Sequence, residues 1–271
     1  VEGAAMCFFC ASTTQLLAIS IIAFKFHYYD ERTWSGWNKE CFSGLGSYIV
    51  VSLKSLALRS VEWWTFEFMV LQIANMSNEE GRPDLLAIHS IIQNLVSFCY
   101  MITIGFSGAS TSYIGNNLGE GKPTMAKRYT ILTLVLGIFA VFLQSSLFSI
   151  FADPVAKTFT AEGILQDQLL KAIPFLSIIT FCHGLQGIVS GILFGLGFIG
   201  IPALLSAVMN LGIGECLAFV FWYTLDWKLE GIYLGISFGF LLTFMAYMIC
   251  VKLTDFRETS HRIRRREKED Q

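Results

Sequence analysis

Three ionisable side chains lie within nine residues of an otherwise apolar stretch, at Arg59, Glu62 and Glu67. A carboxylate among apolar residues can take up and release a proton, and a base three positions away on a helix can pair with it. At about 100° per residue, Arg59 falls angularly between the two acids. Two interpretations stay open: a self-neutralising pair at a helix interface, or a protonatable carboxylate that lines a polar cavity.

Other polar residues interrupt apolar stretches further along the chain. Glu215 is a third acid in such a stretch, and an intramembrane charge costs about 2.5–3.5 kcal/mol on insertion scales. Asn94 is typical of a hydrogen bond between helices, and His183 is either a core residue or a functional one. Trp63 and Trp64 could offer a cation–π face, although single tryptophans more often only pack.

The sequence contains no set of residues that indicates enzymatic chemistry. Cys7 and Cys10 have the spacing of a redox or half-zinc motif, but no second pair or nearby histidine accompanies them. We therefore predict membrane packing for them, with no metal site, no cofactor and no enzyme. The net charge of −2, without a basic face outside one short tail, argues against a nucleic-acid partner.

The elements that must position these residues are membrane-spanning helices. Of 271 residues, 54% are hydrophobic and only 15% charged, against about 25% charged in a soluble domain. Seven segments approach the roughly 20 apolar residues that a span requires. We place them at about 4–26, 48–74, 85–104 (its helix continuing into 107–118), 129–151, 170–196, 199–223 and 231–253. Because lipid offers backbone amides no partner, the predicted fold is an all-α polytopic membrane protein.

The basic residues predict the orientation of these spans. Thirteen of the 19 Lys and Arg residues fall on one side, including the tail, and four fall on the other. Positive residues concentrate on the cytoplasmic side, so we expect a cytoplasmic C-terminus. The arginines of the tail could contact anionic membrane lipid. The sequence leaves the membrane open, between the plasma membrane and a vacuolar or other organelle membrane.

Several motifs resemble one transporter family. Residues 62–67, Glu-Trp-Trp-Thr-Phe-Glu, resemble the E-[WY]-W-x-[FY]-E signature in the seventh helix of eukaryotic multidrug and toxic compound extrusion (MATE) transporters. Residues 105–123 resemble the family's glycine-rich stretch ending in N-x-L-G-A-G, and residues 184–191 resemble its tenth helix. Further matches follow in order to the C-terminus.

The resemblance implies helices six to twelve of a two-lobe, twelve-helix transporter. Residues 1–29 would be the last helix of a first lobe whose other five helices precede Val1. Residues 30–46 would be a cytoplasmic linker, 47–253 the six-helix C-terminal lobe, and 254–271 a charged cytoplasmic tail.

The resemblance also implies a function and its residues. Family members exchange H⁺, or Na⁺ in some, for organic cations or other xenobiotics by alternating access. The implied transport and proton-coupling residues are Glu62, Glu67, Asn94 and His183, with Arg59, Glu215, Trp63 and Tyr100 as modulators. His183 stands where the family usually has an acid, and Arg59 where it is apolar.

Two alternatives accompany this hypothesis. Seven spans with an outer N-terminus is also the topology of a seven-helix receptor, but no Asp-Arg-Tyr follows the third span and no Asn-Pro-x-x-Tyr occurs in the seventh. The chain could also be a non-transporting remnant, because one lobe cannot form a cleft between two lobes.

Overall fold

The computed structural model describes residues 2–25, 43–79, 82, 84–160 and 163–270. These residues are helical almost throughout, which confirms the predicted all-α fold. The chain divides into two compact units, residues 1–49 and 50–271. The predicted linker at 30–46 lies largely outside the described residues, so the four-part division of the chain stays a prediction.

Nine helices follow one another in the described residues. They are α1 (Glu2–Lys25), α2 (Leu45–Glu79), α3 (Asp84–Gly119), α4 (Pro123–Ile150), α5 (Ala152–Phe159), α6 (Gly163–Gly195), α7 (Gly200–Thr224), α8 (Lys228–Leu253) and α9 (Phe256–Asp270). The third predicted span does continue as one helix to Gly119, as expected.

Six of these helices are long and apolar enough to cross a membrane, namely α1, α3, α4, α6, α7 and α8. The second predicted span, at about 48–74, differs from these six. Helix α2 has 35 residues, about 50 Å at 1.5 Å per residue, but Lys54, Arg59, Glu62 and Glu67 make it less apolar than the other spans. Its length suits a membrane, whereas its composition suits a helix with a polar face against protein.

Helix α6 is the centre of the second unit. It packs against α3, α4 and α8, and 78% of the residues in its most apolar 18-residue stretch are buried. Within a bilayer the hydrophobic effect does not drive helices together, because lipid tails are as apolar as the side chains. Helices therefore associate through close packing and polar contacts. The sequence of α6 supplies both, with glycines at intervals and polar side chains between them.

The predicted cytoplasmic end is closed by a tight turn and the last helix. Gly121 adopts a φ of 77°, which glycine tolerates at no steric cost, and Pro123 then starts α4. The Glu120 carboxylate accepts a hydrogen bond from Lys122 Nζ at 2.6 Å, which raises the pKa of that ammonium. Ser260 of α9 donates to the Leu118 carbonyl at 2.7 Å, so the charged tail is anchored to the end of α3.

Candidate functional site

A cavity of about 270 Å³ opens between α2, α3 and α6. Its α2 wall consists of residues spaced three and four apart, which places them on one helix face. The cavity is lined by Arg59, Glu62, Trp63 and Phe66 of α2, by Gln93, Val96, Ser97, Tyr100, Met101 and Ile104 of α3, and by His183 of α6.

Arg59 and Glu62 form the predicted ion pair in this cavity. Arg59 Nη1 lies 3.3 Å from Glu62 Oε2. The Arg59 side chain is 48% exposed, whereas that of Glu62 is only 7% exposed. Tyr100 of α3 lines the same cavity. The carboxylate is therefore at the back of the site and the guanidinium is nearer its open side.

A chain of buried amides and hydroxyls continues inward from Glu62. Gln186 Nε2 lies 3.5 Å from Glu62 Oε1, and Asn210 Nδ2 donates to Gln186 Oε1 at 3.2 Å and to Ser206 Oγ at 2.8 Å. Thr243 Oγ1 donates to Asn210 Oδ1 at 2.7 Å. This series of hydrogen bonds connects α2, α6, α7 and α8, so the polar surroundings of Glu62 include side chains from four helices.

Sequence reasoning did not assign a role to these inner residues. Gln186 and Asn210 appear in the family motifs but carry no charge, and Ser206 and Thr243 are ordinary in a membrane helix. The available signal was an amide in the middle of an apolar span, which normally needs a hydrogen-bond partner on another helix. Asn210 also lies in a π-helical segment, Ala207–Gly214, a local widening that is frequent at functional sites.

Glycines on α6 allow the walls of the site to meet. A methyl group at Gly191 would collide with the Ser107 backbone of α3, and one at Gly187 would collide with Thr103 and Tyr100. At Gly184 it would meet Val141 of α4. These glycines thus allow the close approach of α3 and α6, which brings Tyr100 of α3 and Gln186 of α6 near the Glu62 carboxylate.

His183 lies in an aromatic cluster at the edge of the cavity. Its ring stacks on Tyr100 at 4.2 Å and on Phe240 at 4.7 Å between centroids, and Phe66 meets it edge-on at 5.2 Å. Within the described part of the chain, the buried Nε2 has no hydrogen-bond partner.

The remaining predicted site residues lie elsewhere. Glu67 is exposed on the surface of this unit. Asn94 is exposed too, and its amide donates to the Ser90 carbonyl of its own helix at 2.9 Å, so the expected bond between helices is absent from the described structure. Glu215 accepts from Gln72 Nε2 at 2.7 Å, and Gln72 is about 15 Å along α2 from Glu62. The structure therefore brings together Arg59, Glu62, Trp63, Tyr100 and His183.

No group of three or more metal-ligating His, Cys, Asp or Glu side chains occurs among the residues that the model describes. The charged groups of the cavity are one base and one acid, which suits proton exchange and charge recognition of an organic molecule. Six helices long and apolar enough to cross a membrane, together with a cavity that holds an ion pair, define a polytopic membrane protein.

Comparisons with known proteins give the family. The MatE family model matches residues 58–220, which is more than half of the chain, and the chain belongs to this family. It is 25% identical over 225 residues to Protein DETOXIFICATION 37 of Arabidopsis thaliana, covering 83% of this chain and 44% of that protein. It is 26% identical over 250 residues to Multidrug and toxin extrusion protein 2 of Mus musculus, covering 91% and 43%.

Solved structures share the fold. The eukaryotic MATE transporter AtDTX14 superposes with a TM-score of 0.74 at 21% identity, covering 85% of this chain and 51% of that one. A MATE crystal structure in complex with MaL6 gives a TM-score of 0.75 at 15% identity, covering 97% and 57%. The chain thus spans about half the length of the relatives it matches. These findings confirm the family resemblance and do not favour a seven-helix receptor.

Proposed function

We propose that the chain forms the second lobe of a proton-coupled antiporter that exports organic cations or other xenobiotics by alternating access. The observation that carries this proposal is the position of Glu62. Its carboxylate is buried, it lines a cavity large enough for a small organic molecule, and its hydrogen-bonded network includes residues of four helices. Names such as multidrug and toxin extrusion among the relatives support the export of small organic molecules.

Glu62 would carry the coupling. When it is ionised it attracts a positive group of the substrate, and when it is protonated that attraction is lost and the substrate leaves. The hydrogen bonds from Glu62 to Gln186 and from Gln186 to Asn210 would couple this change of charge to the positions of α7 and α8. Alternating access requires two conformations of the transporter, and the ionised and protonated states of Glu62 would each favour one of them.

The proposal includes three features that accompany this site. The coupling ion is H⁺, with Na⁺ as the alternative. The partner is a first lobe that precedes this one in the transporter. Membrane lipid surrounds both lobes, in a plasma or organelle membrane, with the C-terminus in the cytoplasm. The other predicted coupling residues, Glu67, Asn94 and His183, keep that proposed role, with Arg59, Glu215, Trp63 and Tyr100 as modulators.

The test is proton-driven efflux by the full-length transporter in reconstituted vesicles. Glu62→Gln should abolish the response of efflux to a pH gradient, because the amide cannot exchange a proton. Glu67→Gln is the comparison variant, because it makes the same chemical change on the same helix. If it reduces the response to the pH gradient as much as Glu62→Gln does, both acids take part in coupling; if it reduces the response less, Glu62 is the main coupling residue. Normal pH-driven efflux by Glu62→Gln in correctly inserted protein would refute the assignment.

A further inference from the structure

The cavity presents two opposite charges side by side. Arg59 and Glu62 are 3.3 Å apart, with the guanidinium half exposed and the carboxylate almost covered. A molecule that arrives from the exposed side therefore meets the positive group first. The other ionisable groups on the lining are the Tyr100 hydroxyl and the His183 imidazole.

A molecule with a single charge is poorly matched to this pair. An organic cation that takes Glu62 must displace Arg59 and then sits beside an unpaired like charge within a few ångströms. An organic anion that takes Arg59 leaves the Glu62 carboxylate buried without its base, which is costly. A molecule with both an ammonium and a carboxylate satisfies the two groups together.

The walls around the pair suit an aromatic body. Trp63 and Tyr100 line the cavity together with the ion pair, and Val96, Met101 and Ile104 supply apolar surface. Aromatic rings prefer stacked or edge-on contacts with other rings. A cavity of about 270 Å³ has the size of a small ligand site.

We propose that this cavity selects zwitterionic aromatic molecules, with the ammonium on Glu62 and the carboxylate on Arg59, and that Arg59 sets this specificity. The inference rests on the proposed function, because it names the substrate class of the same site. Protonation of Glu62 still releases the substrate, since the ammonium then loses its counter-ion, so antiport is preserved.

The experiment measures binding to the purified full-length protein by titration calorimetry. Three probes share a phenyl ring and differ in charge: phenylalanine, phenethylamine and 3-phenylpropionate. The variants are Arg59→Gln, the charge-conserving Arg59→Lys, and Lys54→Gln as a matched loss of one base. Lys54 is on the same helix and is exposed, and it does not line the cavity.

We expect phenylalanine to bind about tenfold more tightly than either singly charged probe. Arg59→Gln should erase this preference by weakening phenylalanine and strengthening phenethylamine, whereas Arg59→Lys and Lys54→Gln should keep it. The inference is overturned if phenylalanine shows no binding at about 1 mM, if it shows no preference, or if Lys54→Gln moves the ratio as far as Arg59→Gln.

A parallel efflux assay separates the two proposals. Proton-driven efflux of a dye without any preference for phenylalanine would refute the zwitterion inference alone. Selective phenylalanine binding that depends on Arg59, with no response of efflux to a pH gradient, would refute the proton-coupled function and keep the assignment of the site.

Discussion

The Arg59 guanidinium lies 3.3 Å from the Glu62 carboxylate, one helical turn along α2, and only the acid is buried. A buried acid with a half-exposed base is asymmetric: the acid depends on the base far more than the base depends on the acid. This relationship makes the pair sensitive to what else enters the cavity.

Removing the base alone should destabilise the protein. Arg59→Leu leaves the Glu62 carboxylate without its ionic partner, and we expect a loss of about 1 kcal/mol, a small value because the guanidinium is half exposed. Thermal unfolding in detergent measures this loss. The double variant Arg59→Leu, Glu62→Leu should recover most of it, and additive losses in the double variant would show that the two side chains are not coupled.

Asn210 should be one of the least replaceable polar residues in the lobe. Asn210→Leu removes two donated hydrogen bonds and one accepted bond, and leaves buried partners unsatisfied at about 1–3 kcal/mol each. We expect a markedly lower melting temperature. Asn94→Leu is the control, because that exposed amide bonds only within its own helix in the described structure. Equal losses from the two changes would contradict the network.

A larger side chain at Gly191 of α6 should have a steric effect on helix packing. Gly191→Ala places a methyl group against the Ser107 backbone, so α3 and α6 must separate, and the melting temperature should fall. Gly108→Ala is the matched control on α3, because nothing lies within 4 Å of the new methyl group. That variant should be neutral or more stable by up to about 1 kcal/mol. A tolerated Gly191→Ala would mean that the helices pack less closely than described.

Glu215 should not participate in ligand recognition at the cavity. Its partner Gln72 is about 15 Å along α2 from Glu62, and a glutamine at position 215 can still accept the Gln72 hydrogen bond. Glu215→Gln is therefore expected to bind phenylalanine within about twofold of the wild type by calorimetry. A loss of tenfold or more would show that Glu215 influences ligand binding at the cavity over that distance.

The Arg59–Glu62 pair was predictable from the sequence because its partners are one turn apart on one helix. Spacing determines such contacts without knowledge of other elements. The same argument could not place Glu67 or Asn94. Both lie on predicted helices, but their side chains are exposed on the surface of this unit. Which face of α2 and which face of α3 is buried depends on the other helices that each one packs against.

The sequence by itself determined the class of fold, six of the seven predicted spans, and the ion pair on α2. These follow from composition and from the period of the helix, which are local properties. The tertiary structure alone decided that Glu62 meets Gln186, that Asn210 joins α6 to α8, and that His183 stacks between Tyr100 and Phe240. Those contacts join residues from different helices, and their geometry depends on how closely the glycines of α6 let its neighbours approach.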